Sequence, residues 1–195
     1  MKRQSSLFDT TVFPKGFVYR PNFLTKEEEE VLLSYFDDLP FEHPYIESYA
    51  AKRRIINFGW GYDFKKERIV KGPPLPPLLR PLKHKIAKWL HIPKSHVIEA
   101  LINEYTKGSA IGWHRDNEPF EHVVSISLLG KAELRLRPIG SRVKGRRKAK
   151  DITSIILEPR SAYMLKDDAR WMYQHSIPKV DTLRYSITFR TVPKR

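Results

Sequence analysis

Apolar and polar residues follow different periods in the two halves of the chain. Thr25 and Glu28 form a capping box, and apolar residues from Val31 to Phe36 continue a helix until Pro40. A second helix is predicted after the stiff proline-rich segment 73–77, ending near Leu90. Short apolar runs bounded by turn residues predict strands elsewhere. These strands cover residues 16–20, 97–105, 123–129, 132–138, 152–157, 161–165 and 183–191.

Helices first and many short strands afterwards predict an α+β fold in which the N-terminal helices back one sheet. At 195 residues, the length predicts one domain that is large enough for a real core. We expect this domain to span residues 13–195, preceded by a flexible tail over residues 1–12. No internal repeat divides the chain.

The last predicted strand alternates polar and apolar residues at every step. On a strand, this period places two arginines and two hydroxyl side chains on one face and the apolar side chains on the other. The polar set is Arg184, Ser186, Thr188 and Arg190, and the apolar set is Leu183, Tyr185, Ile187 and Phe189. Guanidinium groups pair bidentately with carboxylates, so the polar face suggests a bound dicarboxylate. Asn103 and Tyr105 share a face of another strand and could add donors.

His114, Asp116 and His175 are candidate metal ligands. Two imidazoles and one carboxylate, with three coordination positions left open, form the facial triad of non-haem Fe(II) oxygenases. Taken singly, each feature has a simpler explanation: a surface turn, a core histidine or the solvated face of an edge strand. Their occurrence together, in this order and spacing, favours an iron site beside a dicarboxylate site.

The motifs Asn103-Glu104-Tyr105, His114-Arg115-Asp116, His175 and Arg-x-Ser-x-Thr-x-Arg resemble those of the AlkB family of Fe(II)/2-oxoglutarate dioxygenases. The resemblance runs from about residue 45 to the C-terminus, with Gly108 and Ile111 also in place. It implies a double-stranded β-helix, a jelly roll of two facing sheets with the metal between them. AlkB enzymes hydroxylate a carbon on an N-alkyl group or a modified base in nucleic acid, or in some branches act on protein.

The resemblance also implies a role for each residue of the site. The ligands of Fe(II) would be His114, Asp116 and His175. The distal carboxylate of 2-oxoglutarate would be held by Arg184, Ser186 and Tyr105, and its metal-chelating end by Asn103 and Arg190.

Residues 41–70 are predicted to form a lid that selects the substrate. They combine cations with aromatic side chains, as expected of a segment that stacks a flipped base and grips phosphate. The candidate substrate-binding residues are Arg53, Arg54, Phe58, Trp60 and Tyr62. A hairpin with aromatic residues in the core is the alternative, and for Phe58 the two are nearly balanced. This segment and residues 170–175 resemble the corresponding segments of the AlkB branch that hydroxylates the tRNA wobble uridine. The RNA-recognition and methyltransferase domains fused to that branch are not expected within these 195 residues, which argues against the same wobble reaction.

The chain carries 36 basic and 22 acidic residues, a net charge of +14. Six of the nine residues at 142–150 are basic. Such an excess favours a phosphate backbone as partner, so single-stranded DNA or RNA, including tRNA, is the expected substrate. A dioxygenase acting on protein and a non-catalytic nucleic-acid-binding module remain the alternatives.

Composition adds expectations about location and assembly. A hydrophobic content of 41% fits a globular protein, and the absence of cysteine excludes disulfides and thiolate metal sites. No apolar run approaches the length needed to span a bilayer, and residues 1–10 lack the apolar core of a signal peptide. We therefore expect a cytoplasmic monomer that does not bind membranes.

Overall fold

The strands supply most of the regular structure. The computed structural model describes residues 12–46, 49–63, 66–140, 142–143, 146–147 and 151–193. Its strands in chain order are β1 (Phe17–Arg20), β2 (Tyr45–Ile46), β3 (Tyr49–Ala50), β4 (Arg54–Asp63), β5 (Arg68–Lys71), β6 (Val97–Tyr105), β7 (Ile111–His114), β8 (Val123–Leu128), β9 (Ala132–Pro138), β10 (Arg142–Val143), β11 (Arg146–Arg147), β12 (Thr153–Leu157), β13 (Ala162–Leu165), β14 (Tyr173–Ile177) and β15 (Arg184–Thr191).

Three α-helices accompany them: α1 (Lys26–Phe36), α2 (Arg80–Leu90) and α3 (Asp167–Trp171). The predicted capping box of α1 is confirmed, because the Thr25 side chain accepts from the Glu28 amide while Glu28 accepts from the Thr25 amide. Short 3-10 turns, Pro77–Leu79 and Lys94–His96, flank α2. Among the described residues, no helix is long and apolar enough to cross a membrane.

Two antiparallel sheets form the body of the fold. The major sheet has the order β1-β13-β8-β15-β6-β4-β5, and the minor sheet has the order β12-β9-β14-β7. Two short ladders, β2 with β3 and β10 with β11, stand apart from them. Strands that pair in either sheet are rarely consecutive in the chain, as in a jelly roll. The predicted fold class is therefore confirmed.

The helices cover the outer face of the major sheet. Leu32 and Phe36 of α1 and Ile86 of α2 lie in one buried apolar cluster with Ile187 and Phe189 of β15. Burying such side chains is worth about 1.5–3 kcal/mol each, which makes this cluster the main stabilising core. The prediction that the N-terminal helices back one sheet is therefore confirmed.

A second apolar cluster joins the inner faces of the two sheets. Val123 and Tyr163 of the major sheet contact the cluster that holds Leu134, Leu136 and Ile177 of the minor sheet. The polar residues of β15 also point to this inner side, since their apolar neighbours Tyr185, Ile187 and Phe189 belong to the outer cluster. Every residue of β15 except half-buried Arg190 is buried. The arginine strand is thus an internal strand, not a solvated edge.

The central part of the predicted lid over residues 41–70 is built into the sheets. Residues 54–59 pair with β6 inside the major sheet, with Arg54 opposite Glu104 and Phe58 opposite Ala100. Residues 60–63 pair with β5 to form a hairpin. Of the aromatic residues in this segment, Phe58 lies in the core, as the alternative predicted, whereas Trp60 is exposed. Except for Val12, the predicted tail at 1–12 lies outside the described residues.

Candidate active site

The two candidate iron histidines lie on neighbouring strands of the minor sheet. His114 at the end of β7 is directly opposite His175 of β14 in the antiparallel register. Their ring centroids are 4.2 Å apart. Asp116 follows β7 by two residues, and its Oδ2 lies 3.6 Å from Nε2 of His175. The structure therefore brings together three residues of which the first and last are 61 residues apart in the chain.

The electrostatic state of these side chains fits a divalent metal. Burial lowers the pKa of His175 to about 3 and also lowers the pKa of His114, so both imidazoles are neutral near pH 7, as ligation requires. His114 Nδ1 donates to the Gly112 carbonyl at 2.9 Å, which leaves Nε2 as the lone-pair nitrogen. Burial alone would raise the pKa of Asp116, but Arg190 and the two histidines hold this pKa below its ordinary value.

One buried oxygen in this group has no partner. Asp116 Oδ1 accepts from Arg190 Nε at 2.7 Å, whereas Asp116 Oδ2 is buried without a hydrogen bond among the described residues. An unpaired buried carboxylate oxygen is costly unless a cation or donor meets it. Together with the neutral imidazoles, this oxygen shows that the donor set fits Fe(II).

The side chains of the three candidate ligands do not point to one common position. Across the described part of the chain, no group of three histidine or acidic side chains converges to hold a metal ion. The rings of His114 and His175 face each other, and Nε2 of His175 lies 3.6 Å from Asp116 Oδ2. The pairing of β7 with β14 fixes the backbones of the two histidines opposite each other.

Arg184 is the clearest candidate for binding a carboxylate. Its guanidinium is almost fully buried, donates from Nε to the Ser127 hydroxyl at 3.2 Å and lies 4.9 Å from the centre of the Tyr105 ring. Its Nη1 is buried without a hydrogen-bond partner in the described structure. Burial lowers the pKa of Arg184, which shows the cost of this charge without a counter-ion. The distal carboxylate of 2-oxoglutarate would supply that counter-ion.

The other predicted 2-oxoglutarate residues lie around Arg184. β15 pairs with β6 so that Arg184 is opposite Tyr105 and Ser186 is opposite Asn103. All four are buried. The register therefore collects the four residues into one patch on the inner face of the major sheet.

Arg190 lies between two carboxylates. Its Nε donates to Asp116, and its Nη1 donates to Glu99 Oε2 at 2.8 Å. Burial would lower the pKa of Arg190, but Glu99 and Asp116 raise it. The predicted role of Arg190 at the chelating end of 2-oxoglutarate stays a prediction, and its observed contact with the site is through Asp116.

Two of the predicted substrate residues are wrong. Arg54 points to the outer side of the sheet, where Nη2 donates to Glu104 Oε1 at 2.8 Å. Phe58 belongs to the outer apolar core. The prediction failed because successive residues of a strand face opposite sides, so Arg53 and Arg54 cannot both face one ligand.

The other three lid residues differ in their positions. Tyr62 lines a cavity of about 430 Å³ next to Asp116. Arg53 is half-buried, and its charge contributes to lowering the pKa of His114, which places it on the side of the metal ligands. Trp60 is 43% exposed and does not line that cavity.

The cavity is walled mainly by the segment that follows the first metal histidine. Its lining consists of Tyr62, Glu67, Arg115, Asp116, Asn117, Glu118 and Pro119. A volume of this size is typical of sites for small molecules or single nucleobases. Because Asp116 forms part of the wall, a group bound there would lie beside the metal ligands.

Sequence reasoning missed several residues that support the site. Arg170 is buried, and its Nη2 donates to the carbonyls of Asn117 and Phe120 at 2.7 Å each, which secures the loop behind Asp116. Ser127 holds Arg184, and Glu99 holds Arg190. A signal existed for Ser127, because Ser125 and Ser127 alternate with apolar residues in β8 and so share the inner face.

Comparison with known proteins identifies the family of this domain. The model of the 2OG-Fe(II) oxygenase superfamily matches residues 16–190. The chain belongs to this superfamily. Members of it use Fe(II) and 2-oxoglutarate, so the chain is an Fe(II)/2-oxoglutarate-dependent dioxygenase domain.

Individual relatives refine this assignment to the AlkB family. The chain is 30% identical over 149 residues to the RNA demethylase ALKBH9B of Arabidopsis thaliana, which covers 71% of this chain but 29% of that protein. It is 25% identical over 209 residues to the Arabidopsis alkylated DNA repair protein ALKBH8 homolog, which covers 95% of this chain and 58% of that protein. It is also 27% identical to the uncharacterized protein L905 of Acanthamoeba polyphaga mimivirus over all of this chain and 90% of that protein.

A solved structure agrees with the fold. The structure of OsALKBH1 superimposes with a TM-score of 0.71 over 92% of this chain and 98% of that chain, at 16% identity. The AlkB jelly roll is therefore shared at low sequence identity.

Proposed function

We propose that this dioxygenase domain oxidises an alkylated or otherwise modified base in single-stranded DNA or RNA, removing a methyl group or adding a hydroxyl group. The observation that carries the proposal is the cavity beside Asp116. It is large enough for one nucleobase, and the aromatic ring of Tyr62 and the charged and amide side chains of its wall offer stacking and hydrogen bonds.

The chain's own residues have defined parts in this proposal. The imidazoles of His114 and His175 and the free Oδ2 of Asp116 would hold Fe(II), and Arg184 would bind the distal carboxylate of 2-oxoglutarate. Bound iron and 2-oxoglutarate would supply the oxidation, with 2-oxoglutarate converted to succinate and carbon dioxide. The protein orients the substrate and keeps the buried site dry.

Charge and relatives support a nucleic acid as substrate. A net charge of +14 on 195 residues favours a polyanionic partner. Two of the similar proteins are named for RNA demethylation and for repair of alkylated DNA. One name refers to RNA and the other to DNA, so the proposal includes both nucleic acids.

The test is a turnover assay with Fe(II), ascorbate and 2-oxoglutarate, in which succinate and the mass of the nucleic acid are measured. The substrates are N-methylated single-stranded DNA and RNA of one sequence and total tRNA. We expect succinate formation stimulated by at least one of them, with loss of a methyl group or gain of an oxygen atom.

His114→Ala should abolish this turnover while the circular dichroism spectrum is unchanged, whereas Glu30→Ala, at an exposed position of α1, should retain it. Succinate without any change in nucleic acid would contradict the proposed substrate and favour a protein substrate. Equal succinate formation by the His114 variant would contradict the assignment of the metal site.

A further inference from the structure

The positive charge of the chain is concentrated in two segments. Residues 68–98 contain seven lysines and arginines and no aspartate or glutamate. Residues 142–150 contain six basic residues and no acidic ones. These segments carry +7 and +6 of the net charge of +14, which leaves +1 for the rest of the chain. The remaining surface is therefore close to neutral, so a polyanion would be drawn to these two places.

Four cations of the first segment are exposed on β5, α2 and the turn after α2. They are Lys71, Arg80, Lys88 and Lys94, and we call this surface the basic face. Arg80 and Lys88 are eight residues apart in α2 and lie on one exposed stripe with His84 between them. The opposite side of α2 packs into the outer core.

The basic face lacks acidic partners. Among the described residues, none of its four cations has an ion pair, whereas neighbouring Lys85 is neutralised by Glu28 at 3.3 Å. Half-buried Lys83 adds a fifth positive charge beside Lys94, and burial together with that neighbouring charge lowers the pKa of Lys83. Like charges gathered without counter-ions cost free energy in the isolated protein, and an anionic partner recovers it.

Strand β5, which carries Lys71 of the basic face, begins next to the cavity. Glu67, in the turn between β4 and β5, lines the cavity next to Asp116. β5 starts at the following residue and runs about 10 Å to Lys71, after which the proline-rich segment leads into α2. A nucleic-acid strand that leaves the cavity at this turn can therefore follow β5, at the edge of the major sheet, to Lys71.

We propose that the basic face binds the phosphodiester backbone of the nucleic acid whose reacting base occupies the cavity, at nucleotides outside the reacting one. This inference rests on the proposed function of the cavity. It assigns recognition of the reacting base to the cavity and most of the affinity for long substrates to β5 and α2.

The expected magnitude follows from counter-ion release. Each phosphate contact to a single strand contributes about 0.7 to the slope of log affinity against log salt, or about five-fold in affinity at 0.1 M salt. The variant Arg80→Gln/Lys88→Gln/Lys94→Gln removes three such contacts. Its affinity at 0.1 M salt should fall by about 100-fold, and its salt slope should decrease by about 2.

The control variant Lys15→Gln/Lys26→Gln/Lys131→Gln removes the same charge from exposed positions elsewhere. Binding is measured by fluorescence anisotropy with labelled 20-nucleotide single-stranded RNA and DNA of one sequence, between 50 and 200 mM salt. Turnover is measured with a modified 20-mer and a modified trinucleotide of each type.

The basic-face variant should lose affinity and kcat/KM for the 20-mer while its turnover of the trinucleotide stays equal to that of the wild type. The control variant should lose less than about three-fold, through net charge alone. Equal losses in the two variants, or unchanged binding by the basic-face variant, would overturn the inference. Wild-type binding that depends on the basic face, without turnover of any modified substrate, would instead contradict the proposed function.

Discussion

Arg184→Met should weaken 2-oxoglutarate binding and at the same time stabilise the free protein. In the free protein, the buried guanidinium donates from Nε to Ser127 and interacts with Tyr105, and its Nη1 has no hydrogen-bond partner among the described residues. Methionine has a similar reach and no charge, so it removes an uncompensated buried cation without opening a large cavity. Binding and stability should therefore change in opposite directions.

The magnitude of the binding effect follows from the number of free donors. Because Nε is committed to Ser127, the distal carboxylate gains a charge-assisted hydrogen bond from the remaining nitrogens and a nearby positive charge. Such an interaction is worth about 2–3 kcal/mol, which corresponds to a 30- to 150-fold higher Kd for 2-oxoglutarate. The free protein should gain about 1 kcal/mol in unfolding free energy.

Arg54→Met is the matched control. Arg54 also lies on a strand of the major sheet, but it pairs with Glu104 on the outer side. This variant should keep the affinity for 2-oxoglutarate and lose about 1–2 kcal/mol of stability, since the buried Glu104 carboxylate loses its main partner.

Two assays measure these effects without turnover. Calorimetric titration of 2-oxoglutarate into the Mn(II)-loaded protein gives the Kd, and urea unfolding of the metal-free protein gives the stability. A Kd for Arg184→Met within three-fold of the wild type would refute the assigned role of Arg184. A loss of stability like that of Arg54→Met would show that the guanidinium is a structural group.

Three further predictions concern the metal site, pH and the backbone. Asp116→Asn should weaken Mn(II) binding at least about ten-fold in an electron paramagnetic resonance titration, with an unchanged circular dichroism spectrum, because it removes the only carboxylate of the triad. The hydrogen bond from Arg54 lowers the pKa of Glu104, so this pair should add stability at pH 7 that is lost as pH falls below about 4.3. The stability difference between wild type and Glu104→Gln in urea should therefore shrink at low pH, and a constant difference would contradict this. Gly59→Ala should cost about 2–4 kcal/mol, since Gly59 has φ +83° and an added Cβ would lie 2.2 Å from a backbone oxygen, whereas Gly112→Ala, with no atom within 4 Å, should change stability by less than about 0.5 kcal/mol.

Local geometry explains why much of the site could be predicted. Residues two apart on a strand share a face in any tertiary context, so the alternation in β15 placed Arg184 and Ser186 together before any partner strand was known. Six predicted strands from residue 97 onward match observed strands to within one residue at each end. The capping box of α1 is equally local and was equally predictable.

Short and polar strands were missed for a related reason. β7 and β14 carry the metal histidines, but they have four and five residues and no clear alternation of apolar side chains. Such segments become strands only because β9 and their own pairing supply hydrogen bonds. The prediction therefore named the ligands without naming the strands that hold them.

The sequence by itself determined the chemistry of this protein: the ligand types, the two arginines of β15 and the excess of positive charge. The tertiary structure decided which side of a sheet each residue faces. It turned Arg54 and Phe58 away from the site, paired Arg184 with Ser127 and Arg190 with Glu99, and formed the cavity beside Asp116. The physical reason is that the alternation of side chains is local, whereas the choice of buried face depends on strand pairing between distant segments.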